Sequence, residues 1–387
     1  MAWHATRKRV EFAMWKGVRD WTGSGVCENL LKVLVPGVLL VWLAACGVGV
    51  RSVERVDRAE SEARSGTGVD RGGACTADGR VLNAGFYAYF APVSYSADED
   101  PNAAGFNTHR GYEADLLSAL EAMAGAGLAF SRRGIAHWDG IWLLSAGPEY
   151  DIIGGGITIL DSRTRDAAGR QAGVFSNGHV AFRQSLLVRA PDAERLASHA
   201  DLTGDVRVGV LAGTTGEFRL LELTGLVDAN GVLAAGARVE TPQGTVVADG
   251  TPDYVITAAG ATENLIGRQH LYPPDETMPQ VVYLGDELGE VELIAALRAG
   301  EIDALARGEI GNRDTAHTAD GALVVTALDA DVEHGGFTLA VEDAPLAACL
   351  DEKINWLTDN RRIGYAEWVS DPLVFMRRAQ MWNEGAR

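Results

Sequence analysis

From about residue 79 onward the apolar positions follow two rhythms: short continuous runs, and a helical repeat. Val81–Tyr87 is a short apolar run that reads as a strand and passes into an aromatic loop, Tyr89 to Tyr95. Over 112–124 the spacing predicts a helix, with Leu116, Leu117, Leu120 and Met123 on one face and Gly125 and Gly127 to stop it. Residues 138–145 read as a short helix, followed by a strand at Asp151–Ile153 and three glycines. A strand at 206–211 leads through Gly213-Thr214-Thr215 into a helix at 217–223. A helix at 290–297, closed by Gly300, runs into a strand at 302–305. Leu346, Leu350, Ile354 and Leu357 share the face of a further helix, with Asp343 placed as its N-cap and Pro345 in its first turn. Strands alternating with helices imply α/β sheets with a ligand at the carboxyl ends of the strands.

The pattern is different before residue 75. A basic, uneven segment (Arg7, Lys8, Arg9, Lys16, Arg19, Lys32) precedes an apolar run from Val33 to Ala45, which ends in Leu43-Ala44-Ala45-Cys46-Gly47. That order is the plan of a secretory signal over 1–45. The last residues resemble a bacterial lipobox, which implies lipidation at Cys46. The alternative is a plain membrane anchor, because residues 33–50 carry no charge over a length at the lower limit for spanning. The segment before the apolar run is long for a signal, so Met14 is a second candidate start. Residues 46–78 read as a flexible tether with no apolar periodicity. With no second apolar span further on, the rest is expected outside the cytoplasm, in the periplasm or on the outer face of the membrane.

Charge sharpens that division. The chain has 34 Lys and Arg against 53 Asp and Glu, a net charge of −19. Its first 45 residues nevertheless carry six basic and three acidic side chains. The exported body is therefore strongly acidic, which excludes a phosphate backbone as partner. Of the four cysteines, Cys27 lies in the signal and Cys46 carries the lipid. Cys75 and Cys349 either pair in an oxidising compartment or leave Cys349 a buried free thiol in its helix. No Cys/His spacing suits a metal, and no cofactor is expected.

Several spaced motifs follow one another in the body. They are Gly85-Phe86-Tyr87-Ala88-Tyr89-Phe90-Ala91-Pro92, Gly111-Tyr112-Glu113-Ala114-Asp115-Leu116, Trp138-Asp139-Gly140, and the stretch from Asp151 to Arg163 with Leu160 where Thr is usual. Phe175-Ser176, Val208 to Thr215, Leu297 to Ala304, and Gly336 to Val341 continue the series. In this order they resemble the amino-acid-type solute-binding proteins (family 3) of ABC transporters, over roughly residues 79–387. The resemblance implies two α/β lobes of the type II periplasmic-binding-protein fold around a cleft. Lobe 1 would be 79–187 with 336–387, and lobe 2 would be 188–335, decorated by an insertion at about 225–286. The chain would cross between lobes near 186–189 and 335–339. The segment from Arg163 to Phe175 also exceeds the family plan.

The resemblance also assigns roles. Arg163 would grip a ligand carboxylate with its guanidinium fork, with Arg165 as its rival. Thr158 and Gly156 would meet the ligand's polar end. Thr214 and Thr215 open a helix whose free N–H groups favour an anion. Phe90 and Trp138 would sandwich the ligand side chain. Glu309 would pair with a ligand ammonium, although strict family spacing falls on Gly308. Asp115 reads as structural. Tyr87 stands where binders of basic ligands often carry an acid, which disfavours Lys and Arg as ligands. The expected function is capture of a small carboxylate, foremost an amino acid, and its delivery to an ABC permease. The alternatives are a ligand-sensing lipoprotein and a dehydratase-like enzyme on the same fold.

Overall fold

The computed structural model describes residues 73–385 except 78. The signal, Cys27, Cys46 and most of the tether lie outside the described residues. Two sheets organise the chain. In the first the strands run in the order Phe130–Ile135, Leu82–Tyr87, Ile152–Gly154, Thr338–Ala340, Gly173–Phe175. Leu82–Tyr87 is parallel to both its neighbours, while Thr338–Ala340 returns antiparallel from the far end of the chain. The second sheet has eight strands, with Arg207–Val210 parallel to Gln280–Tyr283 and to Ala304–Gly308. This is the two-lobed α/β type II arrangement.

The lobes are joined by a small antiparallel pair, Val180–Phe182 with Glu333–Gly335. The crossing therefore lies earlier than 186–189, because Gln184–Arg189 already belongs to the second sheet, antiparallel to Ala304–Gly308. The expected insertion also changes at its end. Gln280–Tyr283 is an inner strand of the second sheet. What precedes it widens that sheet through Arg238–Thr241, Gly244–Val247 and His270–Tyr272, all antiparallel. A separate hairpin, Ile256–Thr257 with Gly260–Ala261, stands outside both sheets.

Helices cover the sheets where the apolar stripe requires it. Tyr112–Ala122 buries Tyr112, Leu116, Leu117, Ala119 and Leu120, and ends before Ala124, whose N–H donates to Asn383 Oδ1 at 2.7 Å. Ala344–Leu357 carries its proline in the first turn, but Asp343 makes no side-chain capping bond. The stretch expected as a helix from 138 is a 3₁₀ turn over Ile141–Ala146, which leaves Trp138 outside it. The strand expected at 302–305 runs Ala304–Gly308. Cys75 and Cys349 are bonded to each other, which ties the start of the described chain to the Ala344–Leu357 helix. Among the described residues no helix is long and apolar enough to cross a membrane.

One buried histidine gives the first lobe a pH dependence. His109 has Nε2 at 2.9 Å from Ser94 Oγ and its ring stacked 4.0 Å from Phe86, while Nδ1 has no partner. Burial pushes its pKa well below the usual value, and the charge of Arg132 adds to this. The folded chain thus keeps the ring neutral, whereas the unfolded chain takes up a proton below about pH 6.5. Stability is complete above that pH and is lost as pH falls below it. In urea titrations at several pH values, His109→Gln should flatten the fall between pH 6.5 and 5 by up to about 1.4 kcal/mol per pH unit. His199 and His270, also lowered by burial, add to the slope that remains. An unchanged slope in the variant would refute the role of His109.

Candidate functional site

A cavity of about 50 Å³ lies where the lobes meet. By that measure a water needs roughly 10–15 Å³, so the closed cleft has room for a few waters. The first lobe contributes Tyr87, Phe90, Trp138, Gly156 and Thr158 to its wall, the crossing Phe182, and the second lobe Gln184, Leu211, Thr214 to Gly216, Glu290, Leu293 and Ala306 to Gly308. Six residues singled out by the resemblance therefore stand together: Phe90, Trp138, Gly156, Thr158, Thr214 and Thr215.

Each is held for a reason. Gly156 sits at φ +66, and a Cβ there would come within 2.6 Å of the Phe90 ring, so only glycine fits. Its N–H donates to Glu113 Oε1 at 2.9 Å, and the same oxygen is 3.0 Å from His179 Nε2. Thr214 is the N-cap of the helix Thr215–Leu223: its hydroxyl accepts from the Glu217 N–H at 3.0 Å and donates to the Leu211 carbonyl at 2.8 Å. That occupies the Thr214 side chain and the Glu217 N–H, while Thr215 and Gly216 at the start of the helix line the cavity. Thr215 Oγ accepts from Gln184 Nε2 at 2.9 Å, and Thr158 Oγ donates to Glu333 at 2.8 Å. Gln184 Nε2 reaches the other Glu333 oxygen at 3.0 Å, so this carboxylate braces both lobes from the crossing strand. The two expected aromatics do not face each other as a bare pair. Phe90 meets Phe182 edge-on at 6.4 Å, and Trp138 meets Tyr87 at 5.0 Å.

Arg163 is placed beside the cavity and does not form its wall. It is 1% exposed, with its guanidinium 4.5 Å from the Trp142 ring and 5.5 Å from Trp138. Nε and Nη2 both donate to the Ala258 carbonyl, at 3.0 and 2.8 Å. Nη2 also reaches the Gly213 carbonyl at 3.1 Å, and Nη1 the Thr158 carbonyl at 3.3 Å. Every one of these acceptors is neutral. Burial pulls its pKa down to about 9, against an opposing pull from Glu333. Arg165 takes no part, since it grips Asp161 at the surface.

Glu309 does not reach the cavity. It opens the helix Glu309–Thr318 and pairs with Arg313 at 3.1 Å. Gly308, where family spacing puts an acid, does line the wall and offers no side chain there. The charged pair in the wall is instead Arg307 with Glu290, at 2.6 Å. Arg307 also donates to Asn312 and Thr315. Burial raises the Glu290 pKa, and Arg307 opposes that rise. Two buried polar atoms of wall residues have no partner, the Tyr87 hydroxyl and Gln184 Oε1. Sequence reasoning missed Glu290, Arg307, Gln184 and Phe182. The available signal was a charged residue inside a buried strand, since Arg307 follows Ala304-Leu305-Ala306.

No family model matches the chain. Over 160 residues it is 29% identical to a protein described as a probable histidine-binding protein of Neisseria gonorrhoeae, a match that spans 41% of this chain and 53% of that relative. The chain thus matches about half the length of this curated relative. Solved structures similar to it include holo ArgBP from T. maritima, at 18% identity and TM-score 0.47, covering 75% of this chain and 96% of that one. AbpA from Streptococcus pneumoniae bound to L-arginine gives 15% and 0.48, covering 78% and 95%. The ancestral amino acid-binding protein AncCDT-1, a precursor of cyclohexadienyl dehydratase, gives 20% and 0.47, again covering 78% and 95%.

Proposed function

We propose that this chain captures a small carboxylate-bearing solute, foremost an amino acid, by closure of its two lobes and delivers it to an ABC permease. Its place would be the extracytoplasmic side of a membrane, held by a lipid on Cys46. The observation that carries this reading is Arg163, a buried cation at the lobe junction whose bonded acceptors are all neutral carbonyls. A buried charge normally has a charged partner, so the arrangement supports an anion as the missing one. The partial likeness to a protein named as histidine-binding supports an amino acid and puts histidine among the first to test. The aromatic wall suits a neutral or aromatic side chain. Glu290 is the acid nearest to a catalytic role, and its bond to Arg307 favours binding over proton transfer.

The test is a thermal-shift screen of the intact chain against the twenty amino acids and small dicarboxylates. At a hundredfold excess over Kd, a true ligand should raise Tm by about 5–10 °C. It should also be recovered unchanged by mass spectrometry. No shift from any compound sinks the reading, and a chemically altered ligand moves it to catalysis.

A further inference from the structure

The hairpin between Ile256 and Ala261 belongs to the segment for which the sequence suggested no role. Its tip reaches across to the first lobe. The Ala258 carbonyl accepts from both Nε and Nη2 of Arg163, and Ala259 packs against the core that holds Phe90 and Trp138. One carbonyl oxygen therefore occupies the side of the guanidinium where a carboxylate would place its oxygens. We propose that this hairpin is the cleft's own competitor for Arg163, its Ala258 carbonyl filling the fork until a ligand carboxylate displaces it. The inference rests on reading the cleft as a carboxylate-binding site and adds the means by which entry is controlled.

Three observations carry it. First, the exchange has a direction. The guanidinium is buried among neutral carbonyls and two indole rings, and hydrogen bonds from a cation to an anion are roughly twice as strong as those between neutral groups. An anion that reaches the fork is thus the better partner. Second, the tip's own ladder is short, and the anchoring lies at its base, where the buried Ile256 donates its N–H to the Gly231 carbonyl at 2.8 Å. That ladder has two residue pairs, Ile256 with Ala261 and Thr257 with Gly260, and it is not continuous with the eight-stranded sheet. The tip side chains are alanines, and Gly260, at φ +141, has open space around its α-carbon. Third, the contact joins the lobes, since Arg163 belongs to the first and the hairpin to the second. The Gly213 carbonyl makes a parallel link, accepting from both Arg163 and Trp138 Nε1. Closure can thus be held by the protein's own carbonyls, and a ligand anion replaces one of those contacts.

Two measurements test this. In the wild-type chain, hydrogen exchange of the peptide spanning 254–262 is followed in sodium acetate and in sodium chloride at equal ionic strength. Exchange several-fold faster in acetate is expected. Equal exchange in both salts, with the peptide still protected when an amino acid from the screen is bound, overturns the proposal. The second measurement replaces residues 257–260 with Gly-Gly. Without its competitor the cleft should bind any amino acid that the wild type binds about tenfold more tightly or better. Equal or weaker affinity in a variant with wild-type circular dichroism overturns the proposal. If that variant does not fold, the wild-type exchange decides. The two readings fail separately. Release by acetate without any amino-acid ligand removes the amino-acid function and keeps the competitor. Amino-acid binding beneath a protected hairpin does the reverse.

Discussion

Arg163→Ala is expected to remove roughly two thirds or more of the thermal shift given by the wild-type ligand. The guanidinium is the buried cation at the lobe junction that lacks an acidic hydrogen-bond partner, whereas Arg307 is already paired with Glu290 at 2.6 Å. Truncating one side of a buried charge pair costs about 2–5 kcal/mol, which corresponds to a loss in affinity of roughly 30- to 5000-fold. Arg163→Lys keeps the charge without the planar fork, so it should retain part of the affinity. Titration calorimetry with the ligand found in the screen measures both variants. Alanine also frees the Ala258, Gly213 and Thr158 carbonyls, so circular dichroism must first show that the variant is folded. A folded Arg163→Ala chain that binds as the wild type does would place the ligand anion elsewhere, with Arg307 the cation in the wall.

The largest effect on stability is expected at a position that touches no ligand. Glu217 is fully buried and accepts from Arg268 Nε at 2.7 Å and Nη2 at 2.6 Å. It also accepts from the Gly213 N–H at 2.7 Å, in the turn that precedes the Thr214 cap. Burial pulls the Arg268 pKa down, and Glu217 outweighs that pull, so the net shift is upward. Glu217→Gln leaves a guanidinium only 5% exposed without a counter-charge. The expected loss is about 3–5 kcal/mol, read as a lower urea midpoint. Replacing both partners, as Glu217→Leu with Arg268→Met, should recover much of it, because no unpaired charge remains. A Gln variant within about 0.5 kcal/mol of wild type would show that Arg268 finds another partner. Because the same carboxylate holds the Gly213 turn, the Gln variant should also bind more weakly at a temperature where it is folded.

What the sequence disclosed follows from which signals are local. Strand and helix runs bounded by glycines were legible, since burial of one face imposes a period over a few residues, as over Tyr112–Ala122. The crossing was legible as a region but misplaced, because Gln184–Arg189 is apolar whichever lobe holds it. The helix Glu309–Thr318 was not legible. It buries Ile310, Gly311, Asn312 and Thr315 and is otherwise polar, so it has no apolar stripe to read. In the site, motif positions found six wall residues. Glu309 lies off the wall because a helix starts there and its carboxylate pairs with Arg313, while Gly308, with Ala306 and Arg307 before it, ends the strand that lines the cavity. The bond from Arg163 to Ala258 joins residues 95 positions apart through a backbone oxygen, and no residue identity announces such a contact.

The link between Cys75 and Cys349 has a mechanical consequence. Any tension arriving from the N-terminal side of the chain enters the folded body at Cys75. The disulfide hands that load to the Ala344–Leu357 helix, whose buried Leu346, Leu350 and Ile354 belong to the first-lobe core. Neither the Val180–Phe182 and Glu333–Gly335 crossing nor the second sheet lies on that path. Load applied upstream of Cys75 would thus reach the first lobe without passing through the crossing or the second sheet.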